Sequence, residues 1–153
     1  MSALELKVPP AALVLIFAVA MWVVSNYVPS LAFGLPLRTV VAYGFVGAGV
    51  FITLAGIVAF RKANTTVNPT KPGTTSVVVN SGIYRLSRNP MYVGFLFALI
   101  GWAAFLSHAL AFALLPVFVV YMNRFQISPE EQALTAKFGL EFADYKKSVR
   151  RWL

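Results

Sequence analysis

Residue types that could carry chemistry are concentrated in two short stretches of the chain. The first, Gly82 to Gly94, holds arginines and tyrosines around Asn89 and Pro90, where a polar segment meets an apolar one. Asn is a good helix N-cap and Pro suits the first helical position, so a helix capped by the Asn89 side chain is predicted to start at Pro90. A helix N-terminus flanked by arginines attracts anions. Any helix that enters a membrane also needs such flanks, so this stretch alone leaves both interpretations open.

The second stretch runs from Arg124 to Glu131 and ends on two adjacent acidic residues, Glu130 and Glu131. One interpretation is structural: Ser128 and Glu131 form a capping box, and Glu130 favours the helix dipole. In the other, one carboxylate faces a cationic ligand, while Arg88 and Arg124 hold the ligand's own carboxylate or orient the glutamates. The residue types predict a polar pocket that suits a ligand with both an amino group and a carboxylate.

The composition identifies the protein that must position these residues as an integral membrane protein. Of its 153 residues, 59% are hydrophobic and 12% are charged, whereas soluble domains have about 25% charged residues. A chain of this size cannot bury so much apolar surface in its own core, so the surface is expected to face lipid. The length predicts one domain, residues 1–153.

Composition also excludes several kinds of site. The chain has no cysteine, which excludes disulfides, thiolate catalysis and cysteine-based zinc sites. With His108 as the single histidine, no metal centre is predicted. The net charge of +8 comes from basic residues next to apolar spans, and this placement fits anionic lipid headgroups better than nucleic acid.

Four apolar stretches predict an all-α fold with four transmembrane helices, at about residues 11–28, 39–60, 90–106 and 109–125. Glycines in the second span would let another helix approach closely. Only Ser107 and His108 separate the third and fourth spans, which predicts a tight antiparallel hairpin with a solvated or headgroup-facing His108 at its tip.

Polar segments complete the predicted architecture. In the long connection 61–89, turns are predicted at Asn68-Pro69 and Pro72-Gly73, followed by an extended stretch at 74–79. After the fourth span, apolar residues recur at spacings of three and four through residues 129–153, with lysines and arginines between them. This pattern predicts an amphipathic helical tail in the membrane interface.

The distribution of basic residues predicts the orientation. The N-terminus, the 61–89 connection and the segment from Arg124 onward carry twelve of the thirteen Lys and Arg residues, and only Arg38 lies on the other side. The positive-inside rule places the richer side in the cytoplasm, together with both termini and both polar stretches.

A resemblance to a known family rests on an ordered set of residues. The set begins with the motif Gly82-x-Tyr84-Arg85-x-x-Arg88-Asn89-Pro90-x-Tyr92-x-Gly94. After the hairpin it continues with Arg124-Phe125, Glu130-Glu131, Leu134, Phe138-Gly139, Tyr145 and Arg150-Arg151-Trp152. Over about residues 70–153 the chain resembles the integral-membrane methyltransferases related to isoprenylcysteine carboxyl methyltransferase and phospholipid N-methyltransferases. It departs from them at Asn89, where many members carry histidine. Asparagine can cap and form hydrogen bonds, but it cannot titrate as a base.

The resemblance implies S-adenosylmethionine as cofactor, bound at the cytoplasmic end of the hairpin under the C-terminal tail. Carried over by position, the cofactor-binding residues would be Tyr84, Arg88, Asn89, Pro90, Tyr92, Gly94, Glu130 and Glu131, and the catalytic residues would be Arg88, Arg124 and Glu130. Gly94 and Gly101 would leave room on the third span for the cofactor or for the fourth span. No metal is implied.

The function expected from this resemblance is methylation of a lipid-like or prenylated acceptor in a bacterial or archaeal cytoplasmic membrane. A carboxylate acceptor needs no base, whereas a phospholipid amine must first lose a proton. Without cysteine or a placed histidine, the pocket slightly favours carboxylate O-methylation, with phospholipid amine N-methylation as the alternative. Two other classes stay open, an NADPH-dependent membrane reductase and a non-enzymatic membrane protein. Calorimetry with S-adenosylmethionine against NADPH would separate all three classes.

Overall fold

The computed structural model describes residues 5–63 and 76–153, and their regular secondary structure is helical. The helices are α1 (Pro10–Tyr27), α2 (Arg38–Lys62), α3 (Pro90–Leu106), α4 (Ala109–Tyr121), α5 (Ser128–Phe138) and α6 (Leu140–Ser148), with a π-helical segment (Met122–Ile127) between α4 and α5. The predicted turns at 68–69 and 72–73, and the first part of the extended stretch 74–79, lie outside the described residues.

Among the residues that the structure describes, three helical runs are long and apolar enough to cross a membrane: α1, α2 and the continuous run Ala109–Phe138. Helix α3 is apolar but shorter. Helix α3 lies at the centre of the arrangement, because it contacts α1, α2 and α4. The predicted all-α membrane fold is therefore confirmed. The fourth span differs from the prediction, since its helix continues past residue 125 instead of ending there.

Glycines bring α2 and α3 into close contact. A Cβ atom built on Gly94 would lie 2.5 Å from the carbonyl oxygen of Gly49 and would also collide with Thr53, and a Cβ on Gly101 would lie 2.8 Å from the carbonyl oxygen of Ala42. The small residues of α3 therefore make room for α2, as small residues do in membrane helix pairs. The expectation that Gly94 and Gly101 leave room for a cofactor or for the fourth span is wrong.

This contact predicts that Gly94→Ala destabilises the protein while Gly44→Ala does not. The added methyl group at position 94 would overpack the interface, which typically costs about 1–3 kcal/mol. Gly44 is the matched control, because nothing lies within 4 Å of a Cβ built there. Denaturant unfolding of both purified variants in the same detergent checks this result, and equal losses of stability would contradict it.

The tip of the hairpin between α3 and α4 is buried. Ser107 adopts the left-handed conformation (φ 49°) that turns the chain within two residues. The connection after α1 covers this turn: the Phe33 N–H donates to the Ser107 carbonyl over 2.9 Å, and Nε2 of His108 lies 2.8 Å from the Val28 carbonyl oxygen. His108 is 0% exposed. The two-residue turn is confirmed, but the expectation of a solvated or headgroup-facing histidine is wrong.

The C-terminal tail is helical, as predicted, but its apolar side is covered by protein. Gly139, with φ +55°, ends α5 and lets the chain turn into α6. Phe142 and Tyr145 of α6 are buried in one apolar cluster with Val78, from the segment before α3. The tail therefore packs over the end of α3 that is predicted to lie in the cytoplasm. Contact of the tail with the membrane interface stays a prediction.

Candidate functional site

The start of α3 and the start of α5 meet beneath the C-terminal tail. Arg88, two residues before α3, is the donor that joins these elements. Its Nη2 donates to Oε1 of Glu131 over 2.8 Å, and its Nη1 donates to the carbonyl oxygens of Lys146 and Val149 over 2.8 and 3.0 Å. Arg88 was predicted to hold an anion, and the anion that it holds here is Glu131.

Glu131 is clamped by two guanidinium groups. Besides Arg88, Arg151 donates to it from Nη2 to Oε2 over 2.5 Å and from Nε to Oε1 over 3.2 Å. The Glu131 side chain is only 10% exposed. The predicted capping box is wrong, because Ser128 already has helical angles and no side chain caps α5. The reason is that the helix enters α5 without interruption, so no helix start exists there to be capped.

Glu130 has a different environment from its neighbour in sequence. Its Oε1 accepts hydrogen bonds from the Tyr92 hydroxyl over 2.5 Å and from Nε2 of Gln126 over 3.1 Å. Both donors are uncharged. Within residues 5–63 and 76–153, Glu130 forms no ion pair, and its Oε2 atom accepts no hydrogen bond. Of the two adjacent carboxylates, one is therefore neutralised by arginines and the other has no compensating cation.

Two tyrosines line this region and stay neutral. The Tyr145 hydroxyl donates to the Tyr84 carbonyl over 2.7 Å and so joins α6 to the segment before α3. Burial raises the pKa of Tyr84, and nearby Tyr145 and Glu130 raise it further. Burial also raises the pKa of Tyr145, although Arg88 opposes that effect. Both phenols therefore stay protonated, and the proton of Tyr145 is used in its bond to Tyr84.

The segment before α3 is fastened to the last residues of the chain. Helix α3 begins at Pro90 as predicted, but the Asn89 side chain does not cap it. Instead, Nδ2 of Asn89 donates to the Arg151 carbonyl over 2.9 Å, and the Arg88 N–H donates to the Arg150 carbonyl over 2.9 Å. Capping by Asn89 is therefore a wrong expectation, because the tail competes for its side chain.

Three predicted site residues lie away from this centre. Pro90 packs beside Gly56 of α2, and Gly94 packs against α2 one turn further along. Arg124 is exposed, and in the part of the chain that the structure describes it forms no ion pair with either glutamate. Its expected role of orienting the glutamates is therefore wrong.

Sequence reasoning missed two residues of the site. Gln126 lies one helical turn before Glu130, and that spacing could have indicated the pair. Arg151 belonged to the resembling motif but was given no role, and nothing local distinguishes it from exposed Arg150. No group of three or more His, Cys, Asp or Glu within the described ranges could hold a metal ion.

Comparisons with known proteins identify a family and several relatives of the chain. The sequence profile of a family described as phospholipid methyltransferase matches residues 37–141. Over 83 residues, 52% of this chain, the sequence is 34% identical to a protein-S-isoprenylcysteine O-methyltransferase of Saccharomyces cerevisiae, of which 34% is covered. Over 75 residues, 49% of this chain, it is 35% identical to the protein of the same name from Mus musculus, of which 26% is covered.

The chain therefore spans about a third and about a quarter of these two relatives. A further relative, an uncharacterised protein of Haemophilus influenzae, is 43% identical over 63 residues, which are 41% of this chain and 100% of that protein. No solved structure shows a significant match.

Proposed function

The chain belongs to the phospholipid methyltransferase family, and on that premise we propose that it transfers a methyl group from S-adenosylmethionine to a lipid acceptor. The single observation that carries this proposal is the unequal pair of glutamates. Glu131 takes both neighbouring arginines, which leaves Glu130 as an uncompensated carboxylate between neutral donors. A carboxylate in that state suits a cationic ligand.

The residues of the site fit this cofactor. S-adenosylmethionine carries a sulfonium, an ammonium and a carboxylate group, and the cationic groups complement Glu130. Nε of Arg88 is buried and has no partner in the described part of the chain, so a donor is left for a ligand acceptor. Exposed Arg124 stays a candidate for the cofactor's carboxylate. When bound, the cofactor supplies an electrophilic methyl group.

The chain's own residues supply orientation and proton transfer. Tyr92, itself buried, and Gln126 hold one oxygen of Glu130, so the position of the carboxylate is set before any ligand arrives. A fixed carboxylate of this kind aligns bound groups and lowers the entropic part of the barrier. Its second oxygen is left to interact with a ligand or to accept a proton.

The acceptor that this geometry favours is a phospholipid amine. Arg88 and Arg151 both form ion pairs with Glu131, so their charges are already compensated and favour an acceptor carboxylate less. An ammonium acceptor, in contrast, matches the charge of Glu130 and could transfer its proton to it. The slight preference for carboxylate methylation rested on the lack of cysteine and of a suitably placed histidine, and Glu130 now stands as the candidate base.

The membrane topology is part of the same proposal. We infer that residues 1–153 form one membrane-embedded domain with both termini and the site in the cytoplasm of a bacterial or archaeal cell. The asymmetry of basic residues supports this orientation. The acceptor would then reach the site from the inner leaflet of the bilayer.

We expect the protein in lipid nanodiscs to bind S-adenosylmethionine but not NADPH, and to label phosphatidylethanolamine in preference to a prenylated cysteine acid. Calorimetry measures the two cofactors, and transfer from methyl-labelled S-adenosylmethionine measures the two acceptors. Binding of NADPH alone would support a reductase. Binding of neither cofactor would support a non-enzymatic protein. Preferential labelling of the prenylated acid would restore the carboxylate alternative.

A further inference from the structure

The helix that carries the two glutamates contains a π-helical segment, Met122–Ile127. Its wider turn is visible in the hydrogen bond from the Ser128 N–H to the Asn123 carbonyl, five residues back instead of four. Such segments are rare and are found mostly at functional sites. This one lies directly before α5, on which both glutamates stand.

The extra residue of the π turn changes the direction in which every later side chain points. In an α-helix each residue advances the direction by ~100°, so one inserted residue rotates the rest of the helix by about that angle relative to α4. Beyond the insertion, Glu130 meets Tyr92 and Glu131 meets Arg88. With an uninterrupted α-helix, the same residues would face other directions.

Trp152 binds this π turn from the end of the chain. Its Nε1–H donates to Oδ1 of Asn123 over 3.0 Å. Its ring packs on the main apolar cluster, to which Met122 and Ile127 at the two ends of the π segment belong. Asn123 therefore accepts two bonds, the π-helical bond with its backbone carbonyl and the indole bond with its side chain.

We propose that the hydrogen bond from Trp152 to Asn123 holds the π-helical segment in the register that places Glu130 on Tyr92, so that Trp152 is a positioning residue for methyl transfer. This inference rests on the proposed function. It gives the end of the chain two linked roles, since Arg151 clamps Glu131 while Trp152 sets the turn before it. Trp152 itself need not touch any ligand.

The test replaces Trp152 by phenylalanine, which keeps an aromatic ring and removes the N–H donor. Trp102→Phe is the matched control, because its Nε1–H donates to the Ala18 carbonyl, also over 3.0 Å, at the contact of α1 with α3. We expect Trp152→Phe to lower kcat about tenfold, the effect of one hydrogen bond. Trp102→Phe should leave kcat near the wild-type value. The two variants should change Tm by similar amounts.

A second measurement needs neither cofactor nor turnover. In the ligand-free protein, hydrogen exchange of the amides at 122–130 should become faster in Trp152→Phe and stay unchanged in Trp102→Phe. Equal exchange in both variants would overturn the proposal, even if the protein proved not to be a methyltransferase. An absence of wild-type turnover, in contrast, would count against the proposed function alone.

A double-mutant cycle separates positioning from a general loss of packing. Tyr92→Phe should lower kcat in the wild-type background but add little in Trp152→Phe, because the contact with Glu130 has already been lost there. Asn123→Asp, which keeps the acceptor oxygen, should retain more kcat than Asn123→Leu. Additive effects of Tyr92→Phe and Trp152→Phe would overturn the positioning role.

Discussion

The Glu130→Gln variant is expected to lose methyl transfer by a factor of about 100 or more, the effect of removing one well-placed charge or base from an active site. Glutamine keeps the size of the side chain and a carbonyl oxygen that can still accept from Tyr92 and Gln126. What disappears is the negative charge and the ability to take a proton. Turnover with phosphatidylethanolamine and calorimetric affinity for S-adenosylmethionine are the measurements.

Glu141→Gln is the matched control for this variant. Glu141 is an exposed glutamate of α6 that forms no ion pair in the described part of the chain. Both variants should keep the ligand-free Tm of the wild type. If Glu130→Gln binds the cofactor and turns over like the wild type, Glu130 is only a structural acceptor for Tyr92.

The Glu131→Gln variant should instead lose stability. A capping box would tolerate this change, because glutamine also serves in one. The structure requires a different result, since the change leaves two arginines at a largely buried site without their shared anion. Removing one partner of a buried ion pair costs about 3–5 kcal/mol. A lower Tm and faster proteolysis of residues 140–153 in detergent are the expected observations, and an unchanged Tm would contradict the clamp.

Neighbouring arginines provide controls for the same clamp. Arg88→Lys keeps the charge but loses the planar fork that reaches Glu131 and two tail carbonyls at once, so it should also loosen the tail. Arg85 is exposed and should tolerate lysine. In the same way, Arg151→Lys should loosen the tail, whereas exposed Arg150 should tolerate lysine.

Local patterns were sufficient for much of the fold. The lengths of the apolar stretches predicted helices that cross a membrane, because hydrophobic length is a property of a single segment. Pro90 fixed the start of α3 through its own backbone angle, and two residues between α3 and α4 left only a tight turn. The ordered motif from Gly82 to Trp152 was enough to indicate the methyltransferase family, to which the family profile assigns the chain.

Contacts between distant parts of the chain decided the rest. Which glutamate receives the arginines depends on Arg88 and Arg151, 43 and 20 residues away from Glu131. The partner of Gly94 is α2, and His108 is covered by the connection after α1. Such pairings follow from how helices pack, and no spacing within one segment contains them.

The roles of Glu130 and Glu131 show this division most clearly. The sequence determined that two adjacent carboxylates lie in a helical segment shortly after Arg124. It could not determine which way each one points, because adjacent residues of an α-helix differ by ~100° and one residue of π-helix shifts both by a similar angle. The directions of the two side chains are set by the tertiary contacts of Met122–Ile127 with the rest of the fold. These directions decide which carboxylate is clamped and which has no compensating cation.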